Sequence, residues 1–156
     1  MEWTPNDYLA NRIVMELSKC GECDDGQRGT ELDSHANMAV VGSQAFVFST
    51  SGKTCDVQAF SKEAEGMSGV HIVDAAIAYD CQFSGRTFIL VFRNALYVPS
   101  MEHNLIPPFI MREAGLEVNE CPKIHCDDPT VEDHTIYDFE TDLRVPLSLH
   151  GVFSVF

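Results

Sequence analysis

Three consecutive side chains in the segment Glu31-Leu32-Asp33-Ser34-His35-Ala36 offer a carboxylate, a hydroxyl and an imidazole, all groups that hold or pass protons. Taken alone, the segment reads as a turn or cap, because Asp and Ser side chains readily bond to nearby backbone amides. Thiols are the second reactive type. Cys20-Gly21-Glu22-Cys23 has the spacing of half a zinc site, and Cys121, His125 and Cys126 could supply the other half. That second spacing is looser than in a zinc knuckle, and the ten residues after Cys23 contain neither His nor Cys. Free thiols are the simpler reading, and no metal or other cofactor is expected. A thioredoxin-like role for the first pair would need a strand-helix-strand pattern that does not follow it. His71, His103, His134 and His150 fall singly and read as surface or hydrogen-bonded residues. The pairs Asp24-Asp25, Asp127-Asp128 and Glu132-Asp133 read as solvated loops, lacking the ligand alternation and central glycine of a calcium loop.

The elements that must position these groups differ along the chain. Residues 1–30 read as an extension: a short amphipathic helix on Leu9, Ile13 and Leu17, capped by Asn6 or Asp7 and running to Lys19, then a glycine-rich polar linker. Residues 31–156 read as one domain of short strands. Candidates are 38–41, 45–49, 54–60, 70–79, 87–92 and 95–98, separated by turn residues such as Ser51-Gly52-Lys53 and Ser84-Gly85-Arg86. Pro107-Pro108 opening and Gly115 closing a run through Phe109, Ile110 and Met111 predict one short helix. After an acidic loop, Leu143, Val145, Leu147 and Leu149 alternate with polar residues, and His150-Gly151 turns the chain into residues 152–156, a C-terminal hairpin. Cys55, Cys81, Phe46, Phe48, Phe88 and Phe92 lie on strands and are expected in the core.

Two motifs in order carry a family resemblance. The Leu32-Asp33-Ser34 segment resembles the active-site loop of the retropepsins, the aspartic proteases of retroviruses and retrotransposons. The stretch Asn94-Ala95-Leu96-Tyr97-Val98-Pro99-Ser100-Met101-Glu102-His103-Asn104-Leu105-Ile106, followed by the helix and Ala114-Gly115-Leu116, resembles the copia-type retrotransposon protease. The resemblance covers residues 31–118 and, more loosely, the C-terminal hairpin. It implies an all-β, retropepsin-like acid-protease barrel with one short helix in the C-terminal half and an N-terminal helical extension. It also implies an aspartic endopeptidase that processes a Gag-Pol type polyprotein.

By that resemblance Asp33 is the catalytic residue, with Ser34, His35 and Ala36 supporting the active-site loop. Two carboxylates sharing one proton can activate water and protonate a carbonyl. The chain has one Asp-Ser loop, and the nearest other candidate, Val73-Asp74-Ala75-Ala76, lacks the hydroxyl and the turn. The enzyme would therefore be a homodimer, with Asp33 of each subunit meeting at a twofold axis. Ser34 would bond across that interface, residues 95–98 and 104–106 would buttress the loop, and Leu105 and Ile106 are expected as core. The flap over the substrate would come from residues 61–69 with their flanking strands, or from the hairpin at Ser84-Gly85. His35 stands where the family has glycine and reads as a variant of the triplet; Pro107 stands where the family usually has serine. A protease-like module that dimerises or binds peptides without catalysis is the alternative, and a zinc-stabilised acidic adaptor a third.

Composition narrows the classes further. The 156 residues carry 24 Asp and Glu against 10 Lys and Arg, a formal charge of −14. Phosphate recognition needs clustered basic residues, and an anionic membrane surface would repel the chain, so neither nucleic acid nor membrane is an expected partner. Hydrophobic content of 45% is incompatible with a disordered acidic tail, and no apolar run approaches the ~20 residues that span a bilayer. Met1-Glu2-Trp3-Thr4-Pro5 does not read as a secretory signal, so a reducing, cytoplasmic setting with unpaired cysteines is expected.

Overall fold

Alternating β-branched and polar residues dominate the chain, and strands dominate the architecture. The computed structural model describes residues 14–17, 29–58 and 65–156. In chain order the elements are β1 (Val14–Leu17), β2 (Thr30–Leu32), β3 (Val40–Val41), β4 (Phe46–Val57), β5 (Met67–Asp80), β6 (Thr87–Tyr97) and β7 (Asn104–Ile106). The helix α1 (Pro108–Glu113), β8 (Glu117–Asn119), a 3-10 turn (Lys123–His125), β9 (Thr135–Asp138), β10 (Leu143–Pro146), β11 (Ser148–His150) and β12 (Phe153–Val155) follow. The protein is all-β in class. A nine-stranded open sheet runs β11-β12-β2-β7-β3-β6-β5-β4, with β1 also on β6, and β10-β9-β8 form a second sheet of three strands.

The order of the central strands decides where the loop after β2 must go. Consecutive strands β2 and β3 do not pair with each other; β7 lies between them, parallel to β2 (Leu32 opposite Ile106) and antiparallel to β3 (Val40 opposite Leu105). The chain leaving Leu32 therefore crosses the end of β7 to reach Val40. The crossing is the segment that carries Asp33, Ser34, His35 and Ala36. On its outer side β2 pairs with β12 (Ser154 opposite Leu32), and Thr30 and Phe156 exchange both backbone hydrogen bonds, at 2.8 and 3.0 Å.

One apolar core joins the layers. Leu32, Val41, Phe88, Ile106, Ile136 and Val145 are all buried in it, so the short sheet and the helix close over the crossover end of the large sheet. The helix follows its expected grammar. Pro108 supplies a first position that needs no N–H, Ala114 donates back to the Ile110 carbonyl, and Gly115 takes φ +88 after it. No helix among the described residues is long and apolar enough to cross a membrane.

Several expectations need correction. Val14–Leu17, inside the stretch expected as a helix, is a strand held antiparallel against Leu90 to Thr87 of β6; pairing partners override weak local propensity. The rest of that stretch, the linker to Arg28, and Cys20 and Cys23 lie outside the described residues, as do residues 59–60 of the strand expected at 54–60 and residues 61–64 of the loop expected at 61–69. The turn at Ser51-Gly52-Lys53 is no turn but an irregularity within β4, where the register slips between Thr50 and Thr54 and Gly52 takes φ +72. The strands expected at 87–92 and 95–98 are one strand, continuous through Asn94 at φ 53. The alternating run from Leu143 splits after Pro146: β10 joins the short sheet, while β11 pairs with β12 in the large one. Phe46 and Phe48 are not core but 72% and 44% exposed: on β4, the last strand of the sheet path, it is the alternate residue between them, Val47, that packs against the core. Phe88, Phe92 and Cys81 are buried as expected, while Cys55 is half-buried.

Candidate active site

Asp33 begins the crossover. Its N–H donates to the Ile106 carbonyl at 3.1 Å, so the residue is fixed to the last residue of β7 just before Pro107. Its side-chain Oδ1 accepts the His35 N–H at 2.9 Å, and the Ala36 N–H donates to the Asp33 carbonyl at 3.4 Å. These bonds tie the loop into a tight turn of the kind that an Asp side chain nucleates. The carboxylate is partly exposed, at 29% of its side-chain area.

His35 solves the problem of a bulky ring in this turn by leaving it. Its side chain is 97% exposed, with Nδ1 3.9 Å from Asp33 Oδ1 and 3.5 Å from Ser34 Oγ. Ser34 is exposed beside it and Ala36 half-buried. Carboxylate, hydroxyl and imidazole therefore do come together at one surface turn.

At the other end of the same strands lies a buried polar network. Asn104, at 3% exposure, accepts the Gly42 N–H on Oδ1 at 3.0 Å and donates from Nδ2 to Thr30 Oγ1 at 3.2 Å. Thr30 is also buried. One side chain of β7 thus stitches the start of β2 to the residue after β3, the two strands that the crossover joins. The signal for it was an asparagine opening an otherwise apolar strand; buried amides need partners. Of the two expected buttresses, β7 carries the acceptor for the Asp33 N–H, whereas β6 meets β3 beyond the turn, pairing in parallel with Leu96 opposite Val40. Ile106 is 2% exposed and Leu105 half-buried.

The other acidic candidate is structural. Asp74 lies within β5, its Oδ2 accepting from Arg93 Nη1 at 2.8 Å and its Oδ1 from the Asn94 N–H at 3.0 Å. It holds the left-handed residue of β6 in place. Among the described residues no group of three metal-binding side chains gathers. His71, His103 and His150 are exposed, while His134 is buried with Nε2 2.8 Å from Ser154 Oγ. Burial, helped by Lys123, holds the His134 pKa below its ordinary value. A cavity of about 50 Å³ beside the helix, lined by Ala39, Leu90, Phe92, Ile106, Met111 and Val145 among others, is an apolar gap in the core rather than a reaction site. No family model, curated protein or solved structure matches the chain.

Proposed function

We propose that the chain is a retropepsin-like aspartic endopeptidase of a copia-type retrotransposon, cutting its own Gag-Pol type polyprotein in the cytoplasm as a homodimer. The observation that carries this reading is the placement of Asp33. It opens a tight turn that crosses the end of an inserted strand, tethered by its own N–H to the Ile106 carbonyl, between two strands that the Asn104 network joins at their other end. The backbone of the residue is fixed, and its carboxylate, bonded through Oδ1 to the His35 N–H, stays partly exposed.

One carboxylate cannot be both base and acid. In a symmetric pair the two Asp33 side chains share one proton, since two carboxylates in contact do not both ionise. The ionised member takes a proton from water as the oxygen attacks the scissile carbonyl carbon. The protonated member gives its proton to the carbonyl oxygen, forming a neutral tetrahedral diol, and collapse with proton transfer to nitrogen releases the amine and the acid. The long β4–β5 hairpin supplies a flap, and the extended substrate binds as a strand beneath it. Replacing Asp33 by Asn is expected to lower cleavage of a polyprotein-derived peptide by at least ~10³-fold, with the circular dichroism spectrum unchanged. Cleavage by the Asn form at a comparable rate would overturn the mechanism.

His35 motivates a second reading, a non-catalytic dimerisation or peptide-binding module, because its exposed ring projects where two turns would meet. A peptidase assay across acidic to neutral pH, with and without a statine-type inhibitor, separates the two. Inhibitor-sensitive cleavage excludes the module.

A further inference from the structure

The connection between β8 and β9 holds the two thiols that the zinc reading used, and their geometry suits different chemistry. Cys121 and Cys126 flank the 3-10 turn Lys123–His125 with their Sγ atoms 3.9 Å apart. The turn is closed by the His125 N–H on the Pro122 carbonyl and the Cys126 N–H on the Lys123 carbonyl, at 2.9 and 3.1 Å. Asn119 fixes the loop from outside: its Oδ1 accepts the Cys121 N–H at 3.1 Å, and its Nδ2 donates to the Glu132 carbonyl at 3.1 Å and to Asp133 Oδ1 at 3.3 Å. The sulfurs are thus brought into contact by backbone and side-chain bonds independent of any bond between them. Cys121 is exposed and Cys126 half-buried, so a small reagent reaches one and the second lies behind it. His125 is exposed and does not complete a metal site with them.

We propose that Cys121 and Cys126 are a reversible dithiol switch that takes glutathione disulfide, or a disulfide of that class, as its oxidant. The Cys121 thiolate attacks one sulfur of glutathione disulfide; a bond from Cys121 to glutathione forms, and one glutathione thiolate leaves and takes up a proton. Cys126 then loses its proton and attacks the Cys121 sulfur, displacing the second glutathione. Two thiols are oxidised to one disulfide and one disulfide is reduced to two thiols. Closure needs the sulfurs to approach from 3.9 Å to about 2.0 Å, within the reach of side-chain rotation. The exposure of Cys121 beside the half-buried Cys126 makes Cys121 the sulfur that acts first. The bond would lock the loop that ends at His134, whose ring is tied to Ser154 of β12.

Lys123 makes the test direct, because it lies between the two cysteines. The full chain is equilibrated in glutathione buffers of graded ratio, alkylated and digested with trypsin, which cuts after Lys123. In the oxidised form the fragments on either side of Lys123 stay joined by the disulfide; in the reduced form they separate, each alkylated. The folded chain is expected to close at a glutathione ratio at least about tenfold more reducing than the isolated peptide of residues 119–128, equivalent to about 30 mV. Cys126→Ser is expected to trap glutathione on Cys121, and Asn119→Ala to lose part of the tenfold advantage. Fragments that never join under oxidising buffer, or a folded chain that closes no more readily than the peptide, would overturn the proposal.

Discussion

At the scale of single residues, the environment of a side chain matters more than its type. The chain has six histidines, and the sequence treats four of them alike. His134 differs because its ring is buried against Ser154 Oγ, in a left-handed backbone position at φ 55. Burial disfavours the charged ring, with Lys123 adding to the effect. The unfolded chain then binds the proton more readily than the folded one, so stability is intact above the ordinary value of 6.5 and is lost as pH falls below it. The urea midpoint should therefore drop between about pH 7 and pH 5 more steeply in the native chain than in His134→Asn, since Asn tolerates the left-handed region and does not titrate. Equal slopes would remove His134 from the account. The turn at Asp33 was legible because Asp and Ser side chains bond to nearby backbone amides, as Asp33 does to the His35 N–H. His134 was not, since nothing in Asp133-His134-Thr135 announces burial 20 positions from its partner.

At the scale of elements, legibility follows the reach of the interaction. The helix at Pro108–Glu113 could be read because proline and glycine act locally. Strand ends could not be read where the deciding partner is distant: Gly52 looks like a turn but sits inside β4, and Asn94 looks like a break but is bridged by Asp74 from β5. Gly42 shows how tightly the site's elements are joined. A Cβ added there would stand 2.4 Å from the Met101 carbonyl oxygen and 2.8 Å from that of His103, both backbone atoms that cannot swing aside. Gly42→Ala should cost about 2 kcal/mol or more, lowering Tm by roughly 4–8 °C. It should also weaken the bond from the Gly42 N–H to Asn104, so any activity should fall with stability. A melting temperature within about 1 °C of the parent would show that the strands part more easily than their geometry implies.

At the scale of the whole molecule, charge governs association. A chain of −14 meeting its own copy faces repulsion that salt screens and protonation relieves. Dimerisation, read by sedimentation at fixed concentration, should strengthen on raising ionic strength and on moving from neutral pH toward pH 5. Under the proposed function cleavage should follow the same direction, since only the dimer brings two Asp33 side chains together. An association that weakens with added salt, or an activity that peaks well above neutrality, would contradict the dimer. Acid acts in the opposite sense on His134, so the working window is bounded from below by the stability of the subunit itself.

The inserted strand also has a consequence in time. Thr30 and Asn104 are 74 positions apart, and the turn bearing Asp33 is not anchored until β7 lies between β2 and β3 and offers the Ile106 carbonyl. A chain emerging from the ribosome therefore carries Asp33 long before it carries a site. Pairings of such long sequence separation form late and slowly, so the chain is synthesised past β7 before the Asp33 turn is anchored; under the proposed function, cutting would wait for that step. The delay is written into strand order, with no inhibitor required.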